Sequence, residues 1–371
     1  MISQDQGGGR SRRDGGRIRN AGRLAKFAVK LSWVLEFAEK CGVREHEFTA
    51  EQLVQNVLRP STAEVGGCSF TELISRGIEN GTWNDELSQG KPFYFISHAW
   101  SRPFSETLDM LVRHFAPEQQ RLWRRKGGAV LPLLSPGEVY CWFDVFAINQ
   151  HADSAEQQRD FEDLAGVVEA AEETLLVLDN GGVALSRAWC LYEAWQTCRT
   201  GGDHKLRLLT YGLDLQRLEQ AFLDLDFSRA KTTEHRDLDR ILASLRNQIA
   251  AGRGEAAVAD EDIGGGVAAA ATTAGFPERT ATQELKNAMV RGALLQLPGP
   301  QEPWTTELGN ALTATAKLCT VYGKLMEAEV LLQRNLEGAE NVLGEDDPTT
   351  LRAVDGLAVL MATIAAQPQP Q

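Results

Sequence analysis

Cysteine is scarce and dispersed. The six in 371 residues (Cys41, Cys68, Cys141, Cys190, Cys198 and Cys319) form no C-x-x-C pair. That removes support for a disulfide framework and for a cysteine zinc site, and it fits a reducing cytosol. Long apolar runs are missing as well: the candidates are broken by Lys30, Glu36 or loop residues, so no membrane span is expected. The N-terminus lacks the apolar centre of a secretory signal. Basic charge is in deficit, with 38 Lys and Arg against 51 Asp and Glu, a net charge of −13 and a pI near 5.1. Non-specific binding of nucleic acid or anionic membrane by the whole molecule is therefore not expected. No G-x-x-x-x-G-K-[ST] loop is present, which speaks against a P-loop NTPase. The HRDL at His235 to Leu238 copies a kinase catalytic loop, but Leu242 stands where the loop needs Asn, and no D-F-G follows; a kinase is excluded.

What is present is globular. Hydrophobic residues make up 43% and charged residues 24%, and the length suits two or three domains. Residues 1–24 read as a disordered Gly/Arg tail. Within the first 26 positions Arg10, Arg12, Arg13, Arg17, Arg19, Arg23 and Lys26 face only Asp5 and Asp14. A solvated tail explains that bias, with a nuclear or organellar address as the alternative. Residues 25–90 read as a helical extension. Thr49 with Gln52 and Ser69 with Glu72 have capping-box spacing, and Pro60 is expected to end the first helix near Arg59.

Residues 91–250 change texture. Phe93 to Trp100, Val139 to Phe146, Thr174 to Asp179 and Leu206 to Tyr211 are short apolar runs without clean alternation, as in strands buried on both faces. Helical segments separate them (105–125, 155–171, 186–200). The alternation predicts an α/β domain with a parallel sheet covered on both sides. Residues 251–280, rich in Ala and Gly, read as a flexible linker. Residues 281–371 return to helical periodicity, and Ala316-Lys317-Leu318 realigns on Ala358-Val359-Leu360 at a 42-residue offset. Such a period marks paired helices of a solenoid. Stable stacks need at least ~3 repeats and only about one and a half are present, so this piece is expected to pack on another domain or another chain.

In parallel α/β sheets ligands sit beyond the carboxyl ends of the strands. Here those ends carry Ser97-His98, Asp144 and Asp179-Asn180, and Glu193 follows on the next helix. A helical wheel over Ser186 to Trp195 places Leu191, Ala194, Trp195 and Cys198 on the buried stripe, with Trp189, Glu193 and Gln196 opposite it. Glu193 then reads either as a solvated glutamate or as the wall of a cleft beside Trp189. His98, Asp144, His151 and Asp179 lack H-x-H or H-x-x-x-H spacing, so no metal is expected. Cys190 reads as packing. Trp100, Trp142 and Trp195 read as core aromatics, or as rings that stack a base.

Four stretches in order, FISHAW, CWFD, EAAEETLLVLD and SRAWCLYE, together resemble the Toll/interleukin-1 receptor/resistance-protein (TIR) domain. The resemblance covers about Phe93 to Ile249, and Ser186 to Glu193 is its most specific part. It implies a flavodoxin-like three-layer sandwich and, in many members, hydrolysis of NAD to nicotinamide and ADP-ribose. The family's catalytic glutamate falls on Glu193, and His98, Trp100, Asp144 and Trp189 become candidate NAD-pocket residues. One carboxylate suffices for that chemistry, because the ribose gains oxocarbenium character while nicotinamide leaves as a neutral base. NAD would be a substrate, and no cofactor is implied. Other members bind only, through TIR–TIR association. The chain departs from the family in the long interval between Ser97 and Asp144, in HAWSR after the first strand, and in VFAINQH after Asp144.

Tyr322 to Leu351 resembles the tetratricopeptide repeats of kinesin light chains. Gly323, Ala328, Leu343-Gly344, Asp347-Pro348 and Thr350 fall on that family's turn and packing positions. This implies a protein-binding helical array with a protein partner that the sequence does not identify. Together the resemblances imply an intracellular signalling protein that self-associates through its TIR-like domain and hydrolyses NAD; the alternative is a non-enzymatic adaptor.

Overall fold

The structure, a computed structural model, describes residues 23–79, 86–126, 129–151, 154–232, 235–260 and 277–366. The expected basic tail lies almost wholly outside them. Of the expected linker, 251–260 completes one helix and 277–280 begins the next; residues 261–276 lie outside the described residues.

A short strand that the sequence did not announce, β1 (Val29–Lys30), comes first. The four apolar runs form β2 (Tyr94–Ser97), β3 (Tyr140–Trp142), β4 (Thr174–Val177) and β5 (Leu206–Leu209). The sheet has five strands in the order β1-β3-β2-β4-β5 and is parallel except for β1, which runs antiparallel to β3 with Val29 opposite Cys141. The register sets Ser97 opposite Leu176, and Leu176 opposite Leu208. The expectation of an all-helical 25–90 is thus corrected: two strand residues inside an apolar helical run are too few to show a period of their own.

Strand side chains alternate between two cores. Leu175 and Val177 enter one with Phe95 and Trp142, while Leu176, Leu178 and Leu206 enter the other. Both faces are buried, which is why the strands show no polar alternation. Each such side chain contributes about 1.5–3 kcal/mol on burial.

The first core is covered by α1 (Leu31–Lys40), α2 (Phe70–Glu79) and α3 (Phe104–His114). In α1 the buried Leu31, Val34 and Ala38 form one stripe, with Glu36, Glu39 and Lys40 outside. Gly42 ends that helix at φ +63, a left-handed position that glycine adopts without a Cβ clash. Both capping boxes form: Gln52 N donates to Thr49 Oγ1 at 3.1 Å and Glu72 N to Ser69 Oγ at 3.2 Å. The helix expected to stop near Arg59 instead runs on to Ala63 through a π-turn at Val54–Leu58. A wider turn just before Pro60 accommodates its ring and its missing N–H. The helix expected over 105–125 is two, α3 and α4 (Pro117–Trp123), with Pro117 at the first position of α4, where its lost donor costs nothing.

The α5 helix (Ser154–Ala170) leads into β4. The second core is covered by α6 (Ala188–Gly201), α7 (Leu215–Leu223), α8 (His235–Asp260), α9 (Pro277–Gln296) and α10 (Thr306–Val321). Then come α11 (Leu325–Leu343) and α12 (Pro348–Ala365). The repeat-like segment does pack on the α/β part: Tyr322 Oη donates to the Phe222 carbonyl at 3.1 Å, and Lys317 pairs with Glu219. Within it Gly323 (φ +74) turns α10 into α11, Gly344 (φ +91) ends α11, Asp347 caps α12, and Ala328 and Thr350 are fully buried. Among the described residues no helix is long and apolar enough to cross a membrane.

Candidate functional site

The chain passes from β3 across β2 to β4, so the direction of winding reverses beside β2. Ligand crevices of open α/β sheets lie at that reversal, beyond the strands' carboxyl ends. The residues at this point are Ser97-His98 after β2, Asp144 after β3, and Glu193 from α6.

They form a buried polar cluster. Ser97 Oγ donates to Glu193 Oε2 at 2.6 Å, and Trp100 Nε1 donates to Asp144 Oδ2 at 2.7 Å. Asp144 Oδ1 also accepts from Val145 N at 2.8 Å. Cys190 Sγ donates to the His98 carbonyl at 3.4 Å. The His98 ring lies against Phe104 and Phe143, and among the described residues its Nε2 has no partner.

Burial governs the titration of this cluster. It pushes the Glu193 carboxyl well above its usual range, the negative Asp144 adds to the rise, and the Ser97 hydroxyl opposes it. Asp144 is raised by burial against the pull of His98 and of the Trp100 indole. His98 is lowered by burial, with Asp144 acting the other way. A raised carboxyl pKa favours the neutral acid over the carboxylate, and so works against the negative charge that would face a developing cation.

The helical wheel is corrected. It sets Glu193 opposite the buried stripe, yet Glu193 is only 6% exposed, and every residue from Cys190 to Thr197 is buried. Helix α6 lies between the sheet and helices α8 and α9. Its apolar stripe faces those helices: Trp195 Nε1 donates to Glu284 Oε2 at 2.8 Å. Its polar face meets the sheet, through Glu193 on Ser97 and through Thr197 Oγ1 on Thr174 Oγ1 at 2.7 Å. An amphipathic pattern alone cannot reveal that both faces are covered.

Four of the five expected site residues, His98, Trp100, Asp144 and Glu193, come together. Trp189 does not join them, since its indole N–H goes to Asp237 Oδ2 on α8 at 3.2 Å. Ser97, marked in the sequence by its place at the end of the first strand but not among the expected pocket residues, also contributes, through its bond to Glu193. The HRDL decoy opens α8, where Asp237 also meets Arg240. His151 Nε2 lies 2.9 Å from Thr62 Oγ1, and Asp179 accepts from Gly181 N and Val183 N to cap its own loop. Among the described residues no three His, Cys, Asp or Glu side chains group as metal ligands.

Two cavities lie nearby. One of about 240 Å³ opens beyond β4 and β5, with Arg102, Asp179 and Tyr211 in its wall. One of about 670 Å³ lies between α4, the outer edge of β5 and α10. Neither is lined by His98, Trp100, Asp144, Trp189 or Glu193. Compared with family models, with curated proteins and with solved structures, the chain gives no match.

Proposed function

We propose that the chain is a non-enzymatic interaction scaffold of the signalling type, built from a TIR-like α/β module and a tetratricopeptide-like helical segment. The parallel order β3-β2-β4-β5, with the first of these strands inside the second, is the order expected of a flavodoxin-like sandwich and supports the TIR resemblance. The observation that carries the reading is the apolar surface left on the last two helices. Met326 is 80% exposed, Val330 63%, Val359 61% and Leu351 51%. Leu351, Val354 and Met361 fall within about 80° of one another around α12. Large apolar side chains grouped in this way mark interaction surfaces. Sedimentation of the full chain tests it. Concentration-dependent association is expected, and Met326→Asp with Val330→Asp should weaken it. A chain that stays monomeric at every concentration and is indifferent to these changes overturns the reading.

The second reading, NAD hydrolysis, is favoured by one observation: two carboxyls, Asp144 and Glu193, meet at the winding reversal of the sheet. It requires the Ser97–Glu193 hydrogen bond to open and Glu193 to ionise. Its test is nicotinamide release from NAD by concentrated protein, with Glu193→Ala alongside. Turnover that disappears in the variant would establish the enzyme.

A further inference from the structure

The larger cavity borders an open sheet edge. Strand β5 is the last of the sheet. Its Leu209 carbonyl accepts from Leu178 N at 3.2 Å, on the β4 side. In a parallel ladder alternate residues bond to the same neighbour, so Leu206 and Leu208 direct their N–H and C=O outward, away from β4. The chain itself satisfies the first of these: Gln296 Nε2 donates to the Leu206 carbonyl at 2.7 Å and to the His204 carbonyl at 3.0 Å. Helix α9 comes close enough for this because Gly292 lies against the Asp203 carbonyl, where a Cβ would collide. This cover stops at Leu206. Beyond it, Leu208 N–H and C=O and Thr210 N–H have no hydrogen-bond partner among the described residues and lie along the cavity wall, which includes Leu206, Leu208 and Thr210.

The opposite wall is one face of α10, where Asn310, Ala311 and Ala314 present short side chains. Leu122, Phe222 and Leu318 add apolar surface at the sides. A volume of about 670 Å³ falls within the ~300–1,000 Å³ of ligand clefts. An unpaired strand edge faces a helix across a gap held open by small residues. The geometry points to an extended peptide of a partner protein, apolar at alternate positions, that adds to β5 alongside Leu208 and Thr210. Backbone hydrogen bonds would supply affinity, and alternate side chains lying on Leu122, Phe222 and Leu318 would supply specificity. Such pairing also closes an edge that is otherwise exposed to non-specific strand addition. This surface is separate from the exposed faces of α11 and α12, and its test does not depend on theirs.

The full chain is screened against a displayed library of random linear peptides, and recovered peptides are synthesised. They are expected to slow amide hydrogen exchange at Leu208 and Thr210 by about tenfold or more. N-methylation of alternate peptide residues and Ala311→Trp, which fills the gap, should each weaken binding by about tenfold, or ~1.4 kcal/mol. Ala314→Trp gives the same test from one turn further along α10 should the first variant not fold. Failure to recover any peptide overturns the inference. So does recovery of peptides that leave exchange at Leu208 and Thr210 unchanged.

Discussion

Ser97 Oγ donates to Glu193 Oε2 at 2.6 Å, which ties the carboxyl end of the central strand to the middle of α6. The bond spans 96 positions of sequence and is buried at both ends. It makes Glu193 a structural fastening between sheet and helix. Breaking one partner of such a bond costs more than the bond's net worth, because the other partner stays buried.

Glu193→Gln separates the charge of this residue from its hydrogen bond. The Gln carbonyl accepts from Ser97 as the carboxyl does, but it cannot ionise. The folded-state pKa of Glu193 is raised, so above the ordinary glutamate pKa the unfolded chain releases a proton that the folded chain keeps. Wild-type stability therefore falls as pH rises from that point up to the raised value, with a slope of up to about 1.4 kcal/mol per pH unit. Glu193→Gln lacks this loss. Urea unfolding at pH 5 and pH 8 is expected to show an advantage of the variant over wild type that grows with pH. His98 and Asp144 are common to both proteins, so the difference reports Glu193 together with its coupling to Asp144. An advantage that does not change with pH would place the ionised form in the folded state.

Strand positions, the parallel sheet and the meeting of Ser97, His98 and Asp144 with Glu193 were legible in the sequence, because buried strands are short continuous apolar runs whose polar ends gather at one edge. Trp100 was named as a pocket residue only through the family resemblance, and Asp179, expected at the same edge, caps its own loop. The burial of Glu193 was not legible. A wheel assigns one buried face, and α6 has two: the apolar stripe packs on α8 and α9, and the polar face that carries Glu193 meets the sheet. Nor was β1: Val29 and Lys30 lie inside a run with helical spacing, and only pairing with Cys141 and Tyr140 makes them a strand. The π-turn before Pro60 also escaped notice, since a proline lowers the expectation of helix without showing how the backbone makes room for it.

Ser97→Ala removes the donor and leaves the Glu193 carboxyl buried without it. The expected loss is about 1–3 kcal/mol at pH 7. The same change in a Glu193→Gln background tests the pairing, because bonded partners couple whereas distant ones add. A Ser97→Ala variant as stable as wild type in urea would show that the fastening contributes nothing.

The helical segment offers a test in which chemically identical substitutions act in opposite directions. Exposed helix interiors gain about 1 kcal/mol when Gly becomes Ala. Gly356 in α12 should follow that rule, since an added Cβ would meet only Leu332 Cδ2 at 3.7 Å, an ordinary contact. Gly338 in α11 should not, because its Cβ would run into the Trp304 ring. That ring cannot easily withdraw: Trp304 Nε1 donates to Asn335 Oδ1 at 2.9 Å, Asn335 Nδ2 donates to Thr313 Oγ1 at 3.1 Å, and Gly309 closes on the far side of the indole. Overpacking of this kind costs about 1–3 kcal/mol, enough to reverse the helical gain. Thermal unfolding is therefore expected to rise for Gly356→Ala and fall for Gly338→Ala. If both rise, the indole moves without cost, and Trp304 does not fix the spacing of α10 and α11.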